Sequence, residues 1–434
     1  MTPVRPDSVL NALTSACGPG FARPATPQES VGGVEARWLV TPGTTEEAAS
    51  VLRVAAEHRL AVVARGAGTK LDWGATPAAV DVILDTGRLT GVSWHAPGDL
   101  VATVGAGTPL RSLQAVLEPA GQRLALDPGS ASAGATVGGV LGAGEAGPLR
   151  LRFGIGRDLL IGVEFIRADG VVAHAGGRVV KNVAGYDLGK LLCGSFGTLG
   201  VITSATFRLH PLPARRAWVC RSVWSPLEVH DLLNDVVMSS VVPTGIEIDL
   251  PVAHLPPVAR QRGAETPRGP GMIAVLLEGT HDGVAIRSSI MQKLLGGDAS
   301  TGDYAPPWWG RYPFGPDDIA LKLAVPVQDL HAAIYALRDA AGVPVPIRGS
   351  AGVGVVHAAL PGTISPDEVT AVLNAVRGAL VTRGGSCVVL AAPARIRPKL
   401  DLWGPVPGMN IMRRVKEQFD PFRLLSPGRF VGGL

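Results

Sequence analysis

Between residues 36 and 210, short apolar runs alternate with segments whose apolar residues recur at helical spacing. ARWLVTP (36–42) and AVVARG (61–66) read as strands, and AVDVILDT (79–86) and LVATVGAG (100–107) as two more. Between the first pair, TTEEAASVLRVAAEHRL sets Ala48, Val51, Leu52 and Ala55 on one face behind a threonine and first-turn glutamates, which predicts a capped helix. TPLRSLQAVLEPAG (108–121) predicts a second capped helix closing at Gly121. The stretch DPGSASAGATVGGVLGAGEAG (127–147) is too irregular for a strand and too rich in glycine for a stable helix. LLIGVEFIRAD and GVVAHAGG then read as strands joined through an Asp169-Gly170 turn, followed by a helix (YDLGKLLCG) and a last strand (GVITSATFRLH).

From about residue 215 the pattern changes. Strand SVW, helix PLEVHDLLNDVVM, strands GIEIDL and MIAVLLEG, and helix VAIRSSIMQKLLG form a β-α-β-β-α series. A second series follows: IALKLAVP, QDLHAAIYALRDAA, GVGVVHAAL, PDEVTAVLNAVRGAL and CVVLAAP. Two such series predict a ferredoxin-like α+β domain with an internal repeat. RQRGAETPRGPG (260–271) and TGDYAPPWWGRYPFGPDD (301–318) read as loops. The expected division is 1–214, 215–394, and a segment 395–434 that returns to the first domain.

Composition narrows the function classes. In 434 residues, 46% are hydrophobic and 18% charged, enough apolar material for more than one packed core. The 56 glycines and 36 prolines are scattered among apolar runs and punctuate turns. A net charge of +4 without basic–aromatic interleaving argues against nucleic-acid binding. The late basic stretch Arg395, Arg397, Lys399, Arg413, Arg414, Lys416 reads as a solvated face, with an anion or partner site as the alternative. Cys17, Cys193, Cys220 and Cys387 lie far apart, so no iron–sulfur or zinc site is expected, and a reducing compartment is favoured. The N-terminal run lacks the basic start and apolar core of a signal peptide, and no uninterrupted apolar stretch of about eighteen residues exists. A cytoplasmic protein without a membrane span is expected.

Three glycine-rich segments carry the candidate chemistry. In ARGAGTK (64–70), Gly66 and Gly68 permit close backbone approach, so successive amides can form an anion-binding nest; an ordinary turn is the alternative. The 127–147 stretch carries a large backbone entropy cost, explained by wrapping a flat ligand or by a loose surface loop. VVKNVAGYDLGKLLCGSFGTLGVIT (179–203) brings a Gly-Thr-Leu-Gly turn into a strand. There is no Gly-x-Gly-x-x-Gly opening a helix after the first strand, and Gly185 to Lys190 has the wrong spacing for a phosphate-binding Walker loop.

In this order and spacing, RGAGTK, DPGSASAGATVGGVLGAG and FGIGRDLLIGVEFIRADG resemble the FAD-binding fold shared by vanillyl-alcohol oxidases and p-cresol methylhydroxylases. The run KNVAGYDLGKLLCGSFGTLGVIT and the terminal FDPFRLLSPGRF are similar to the FAD-binding E subunits of glycolate oxidases. The resemblance covers residues 36–210 and the tail. It implies a two-subdomain FAD-binding fold of the p-cresol methylhydroxylase type, with the ferredoxin-like α+β domain as a cap. It also implies that the backbone of Arg65, Gly66, Ala67, Gly68 and Thr69 holds the diphosphate. Pro128, Gly129, Ser130, Thr136, Gly138 and Gly139 would line the flavin and diphosphate. Gly154, Arg157 and Asp158 would sit nearby, with backbone contacts from Gly200, Val201 and Ile202. Arg429 would approach the isoalloxazine, a local salt bridge being the alternative.

Two departures shape the functional reading. Members with covalent flavin carry a histidine at the end of the first loop, where this chain has Thr69 and then Lys70, so a dissociable FAD is expected. Hydroxyacid-oxidising members carry a histidine-rich metal site and a Gly-Asp-Gly-Asn run in the cap, where SAGVGVVHAAL retains only His357. A lone histidine in an apolar strand is ordinarily a packed core residue. No metal is expected, and no catalytic base is assigned.

The reading that follows is an FAD-binding subunit of a glycolate oxidase-type 2-hydroxyacid oxidoreductase. By the resemblance its partners are a catalytic FAD subunit and an iron–sulfur subunit, through which it would associate with a membrane. A self-sufficient 2-hydroxyacid dehydrogenase, using His357, Arg348, Arg311 and Tyr312 under the cap, is the alternative. A cofactor-free structural subunit is a third reading, which the intact glycine segments oppose.

Overall fold

The computed structural model describes residues 6–179, 185–251 and 271–434. The expected 260–271 loop and the start of the 179–203 motif fall largely outside them. Two compact units are present, one of 1–146, 154–212 and 406–434, the other of 147–153 and 213–405. The second unit therefore includes a short segment just after the glycine-rich stretch and runs past the boundary expected at 394.

Among its described residues the first unit contains two larger sheets and two two-stranded ones, Ser30–Val31 with Val34–Glu35 and Gln122–Arg123 with His210–Pro211. In one of the larger sheets, Trp38–Val40, Val82–Asp85 and Val62–Arg65 run parallel, with Ala22–Pro24 antiparallel at the edge. Thr45–His58 is the crossover helix. Thr44 Oγ1 accepts from Glu47 N at 3.2 Å, and the predicted face of Ala48, Val51, Leu52 and Ala55 is buried. The other sheet is five-stranded and antiparallel, ordered Val172–Gly176, Leu160–Ile166, Val201–Arg208, Val101–Gly105, Val92–Ala96. The second predicted helix spans Leu110–Leu117 and ends through a 3-10 turn at Gly121 (φ 67°). It lacks a side-chain cap: Pro109 is its cap residue, and Thr108 Oγ1 instead accepts from Gly91 N at 2.9 Å.

The C-terminal segment completes the parallel sheet. Val62 N donates to Leu424 O, and Ser426 N donates to Val62 O, both at 2.8 Å. A buried charge anchors this run. Lys416, on the Met409–Phe419 helix, donates to Thr198 O at 2.7 Å, Asp420 Oδ2 at 2.7 Å and Leu425 O at 3.0 Å. Asp420 also accepts from the amides of Leu424 and Leu425 at 2.9 and 2.7 Å. Burial pushes the Lys416 ammonium below its ordinary pKa, against the pull of Asp420.

The second unit is an eight-stranded antiparallel sheet made of two βαββαβ halves. The first half orders its strands Ser300–Gly302, Arg215–Val223, Gly271–Gly279, Gly245–Leu250. The second orders them Ile347–Ser350, Val355–Leu360, Ile319–Ala324, Ser386–Ala391. Each is the ferredoxin-like 4-1-3-2 order, joined second strand to second strand at Ile248↔Gly349. The anticipated repeat is thus a pair of mirrored half-sheets. The run GVGVVHAAL (352–360) holds one strand, Val355–Leu360, which starts late because Gly352 and Val353 lie in a 3-10 turn; Ile347–Ser350, ahead of that turn, is a further strand that the sequence reading did not include.

Candidate functional site

In the first unit, the Val62–Arg65 strand runs into the loop 66–70, which forms one wall of a cleft. Gly68 takes φ 75°, a left-handed conformation suited to glycine. Among the described residues, the amides of Ala67, Gly68, Thr69 and Lys70 donate to no protein acceptor. Backbone donors are ordinarily paired, so four successive free N–H groups on a cleft wall form a ready cradle for an anion.

The second glycine-rich segment packs directly behind this loop. A Cβ built on Gly66 would lie 2.1 Å from Thr136 Oγ1, so a side chain there has no room. Contrary to the expectation of irregularity, Val137–Ala143 is helical: Thr136 caps it through Gly139 N at 3.3 Å, and Val137, Val140 and Leu141 are buried. Tertiary burial here outweighs the poor helix propensity of glycine. The third segment closes on the same helix, Gly194 N donating to Leu141 O at 2.8 Å and Phe196 N to Gly142 O at 2.9 Å. Phe196 adopts φ 55°, and its ring stacks on Phe430 with centroids 5.7 Å apart.

Charged groups fix the loop from both sides. Arg65 is held by Asp85 at 2.6 Å, which leaves its backbone to start the loop. The Lys70 ammonium meets Glu145 Oε2 at 2.5 Å and donates to Ser130 Oγ at 2.6 Å, tying the first glycine segment to the second. Arg429 lines the cleft, and its Nη2 donates to the carbonyls of Lys70 (2.6 Å) and Leu71 (3.1 Å). The tail therefore grips the loop that bears the free amides. Arg429→Met is expected to weaken cofactor affinity by about tenfold, the scale of losing charge-assisted hydrogen bonds. Equilibrium dialysis checks this, with circular dichroism expected to stay unchanged.

Of the residues singled out by sequence, Arg65, Gly66, Ala67, Gly68, Thr69, Thr136, Gly138, Gly139, Gly200, Ile202 and Arg429 line the cleft. Pro128, Gly129, Ser130, Gly154, Arg157, Asp158 and Val201 do not appear on that lining. Pro128 and Gly129 open a 3-10 turn, and Ser130 supports Lys70 and Glu145. Asp158 accepts from Ile155 N at 2.9 Å beside Gly154, the charge of Arg157 bears on the Cys193 thiol, and Val201 is buried in the core. Lys70, Phe196 and Gly142 line the cleft without having been predicted as ligands. The notable signal for Phe196 was its place in GSFGTLG, flanked by glycines.

In the second unit, the imidazole of His357 meets the Tyr312 ring edge-on at 4.8 Å. Burial, then the charges of Lys322 and Arg150, push its pKa down to about 3, so it is neutral at physiological pH and a weak base. Arg348 binds Asp249 Oδ1 at 2.9 Å and Tyr312 O at 3.1 Å, while Arg311 is exposed. Among the described residues no cluster of three or more His, Cys, Asp or Glu is placed to hold a metal, and no helix is long and apolar enough to cross a membrane.

The free-amide loop and its glycine-rich backing invite comparison with flavin proteins. Residues 36–176 match the FAD binding domain family. FAD is the cofactor of this domain. The chain is 30% identical over 209 residues to glycolate oxidase subunit GlcD of Bacillus subtilis, covering 48% of this chain and 44% of that one. It is 42% identical over 130 residues to glycolate oxidase subunit GlcE of Escherichia coli, covering 30% and 37%. The matches thus span less than half the length of either relative. The solved structure of p-cresol methylhydroxylase aligns over 98% of this chain and 96% of its own, with a TM-score of 0.74 at 16% identity. That likeness establishes the p-cresol methylhydroxylase-type α+β fold.

Proposed function

We propose that the chain is an FAD-dependent oxidoreductase of 2-hydroxyacids and works as an FAD-binding subunit of a glycolate oxidase-type complex. In this reading it relays electrons from a catalytic flavoprotein partner toward an iron–sulfur subunit. The observation that carries the cofactor assignment is the run of free amides from Ala67 to Lys70, which suits the FAD diphosphate. Arg65 to Thr69 would hold that group, with Thr136, Gly138, Gly139, Gly200 and Ile202 along the flavin. Pro128, Gly129, Ser130, Gly154, Arg157, Asp158 and Val201 would support these walls from behind. Bound FAD supplies reversible two-electron chemistry, and this chain's residues bind it, orient it and restrict water. Thr69 and Lys70 provide no histidine for attachment, so the flavin would be dissociable. A cytoplasmic site, with membrane association through partners, belongs to the same proposal.

The carrier role is favoured by the weak basicity of His357, which offers little help in taking a hydroxyl proton. The basic residues around His357 favour the second reading, a self-sufficient dehydrogenase. Anaerobic addition of glycolate and D-lactate to the purified yellow chain separates the two. Flavin that stays oxidised until a GlcD-type subunit is added supports the carrier role. Bleaching of the chain alone overturns that role and establishes the second reading.

A further inference from the structure

The two halves of the second unit repeat with one constant shift along the chain. The buried faces of helices Pro226–Met238 and Leu330–Ala341 match position by position: Val229 with Leu330, Leu232 with Ala333, Leu233 with Ile334 and Val236 with Leu337. The same shift carries Ile248 onto Gly349, the antiparallel pair at which the half-sheets join, so a local twofold axis passes through that pair. It also carries His230 onto His331. Equivalent residues meet where their helices approach the axis, and these two imidazole rings lie 4.3 Å apart at their centroids, tilted by 52°.

Ordinary packing does not account for this pair. His331 Nδ1 is buried and has no hydrogen-bond partner among the described residues, a loss that native interiors rarely leave unanswered. Neither ring is paired with a carboxylate there. His230 Nε2 meets the side-chain amide of Asn234, one helical turn further on, at 3.0 Å. Turning that amide end for end presents Oδ1 at the same place. His331 also lines a groove between its own helix and helix Pro366–Val381, and both histidines are half-buried, so small solutes can reach them. Two imidazoles, a carboxamide oxygen and an open side for water make a donor set that suits a first-row transition-type cation. Ca²⁺ and Mg²⁺ prefer all-oxygen sites and are a poor match.

We propose that His230 and His331, with Asn234 beside them, hold a divalent cation of the Zn²⁺ class at the local twofold axis of the second unit. The bound ion gives the orphaned ring nitrogen its partner and ties the two halves together through their first helices. The stability of the unit then responds to metal. Neither the flavin nor the proposed reaction enters this assignment.

Zinc chloride is the probe, titrated calorimetrically into the FAD-loaded chain after metal has been stripped with EDTA and the chelator dialysed away. His331→Asn and His230→Gln are each expected to weaken Zn²⁺ binding by about tenfold or more, because altering even a group that supports a metal ligand costs that much. Asn234→Asp is expected to tighten it, a carboxylate taking the place of the carboxamide. Zn²⁺ should raise the unfolding midpoint of the unaltered chain and leave that of His331→Asn where it was. Midpoints measured without metal report that the variants are folded. Should a histidine variant fail to fold, one equivalent of Cu²⁺ on the unaltered chain is expected to show two imidazole nitrogens by electron paramagnetic resonance. Absence of Zn²⁺ binding, binding that both histidine variants keep, or a Cu²⁺ spectrum with fewer than two such nitrogens overturns the site.

Discussion

Asp420→Ala is expected to destabilise the first unit by about 3–5 kcal/mol, the scale of breaking a buried ion pair from one side. Lys416 is 1% exposed and Asp420 fully buried. Removing the carboxylate leaves the ammonium with only the carbonyls of Thr198 and Leu425, and strips Leu424 and Leu425 amides of their acceptor. Those two residues begin the strand-like run that pairs with Val62, and the same run continues to Arg429 at the cleft. Flavin should therefore be lost at lower urea than the bulk of the secondary structure. Urea titration followed by flavin fluorescence and by circular dichroism reads both. A joint Lys416→Met, Asp420→Leu replacement is expected to recover much of the stability, because it removes both charges. An Asp420→Ala chain that keeps its flavin and its unfolding midpoint would show that the tail is not an anchor.

The second large effect is at Gly66. A methyl group there would sit 2.1 Å from Thr136 Oγ1, so either the loop lifts away or Thr136 turns and abandons its cap on Gly139. Gly66→Ala is expected to lower FAD affinity by roughly a hundredfold, about 2.7 kcal/mol, with little change in overall secondary structure. Adding Thr136→Gly removes the opposing side chain and should restore part of the affinity. If Gly66→Ala binds FAD as tightly as the unaltered chain, the loop is not the cofactor's seat.

Much of the fold was legible because apolar runs and helical spacing coincide with buried elements, as in Thr45–His58 and Val62–Arg65. What escaped was set by packing. Val92–Ala96 (VSWHA) is a strand without an apolar run, and Ile347–Ser350 (IRGS) becomes one only by bridging the two half-sheets. Val137–Ala143 is helical although its glycines argue otherwise. At the cleft, the glycines of RGAGTK were visible in sequence, since their chemistry is local. The Lys70–Glu145–Ser130 cluster and the grip of Arg429 on Lys70 and Leu71 join residues far apart in the chain, and no spacing announces them. The assignment of 147–153 to the second unit was likewise not announced by the sequence, since this short run follows directly on the glycine-rich stretch.

The central claim is that the free amides of Ala67 to Lys70 receive FAD. Hydrogen exchange of the apo chain with and without added FAD tests it most directly, because an amide that gains an acceptor exchanges more slowly. The account predicts marked slowing in peptides covering 66–70, together with those covering 136–143 and 194–202. Tight FAD binding that leaves exchange at 66–70 unchanged would contradict it.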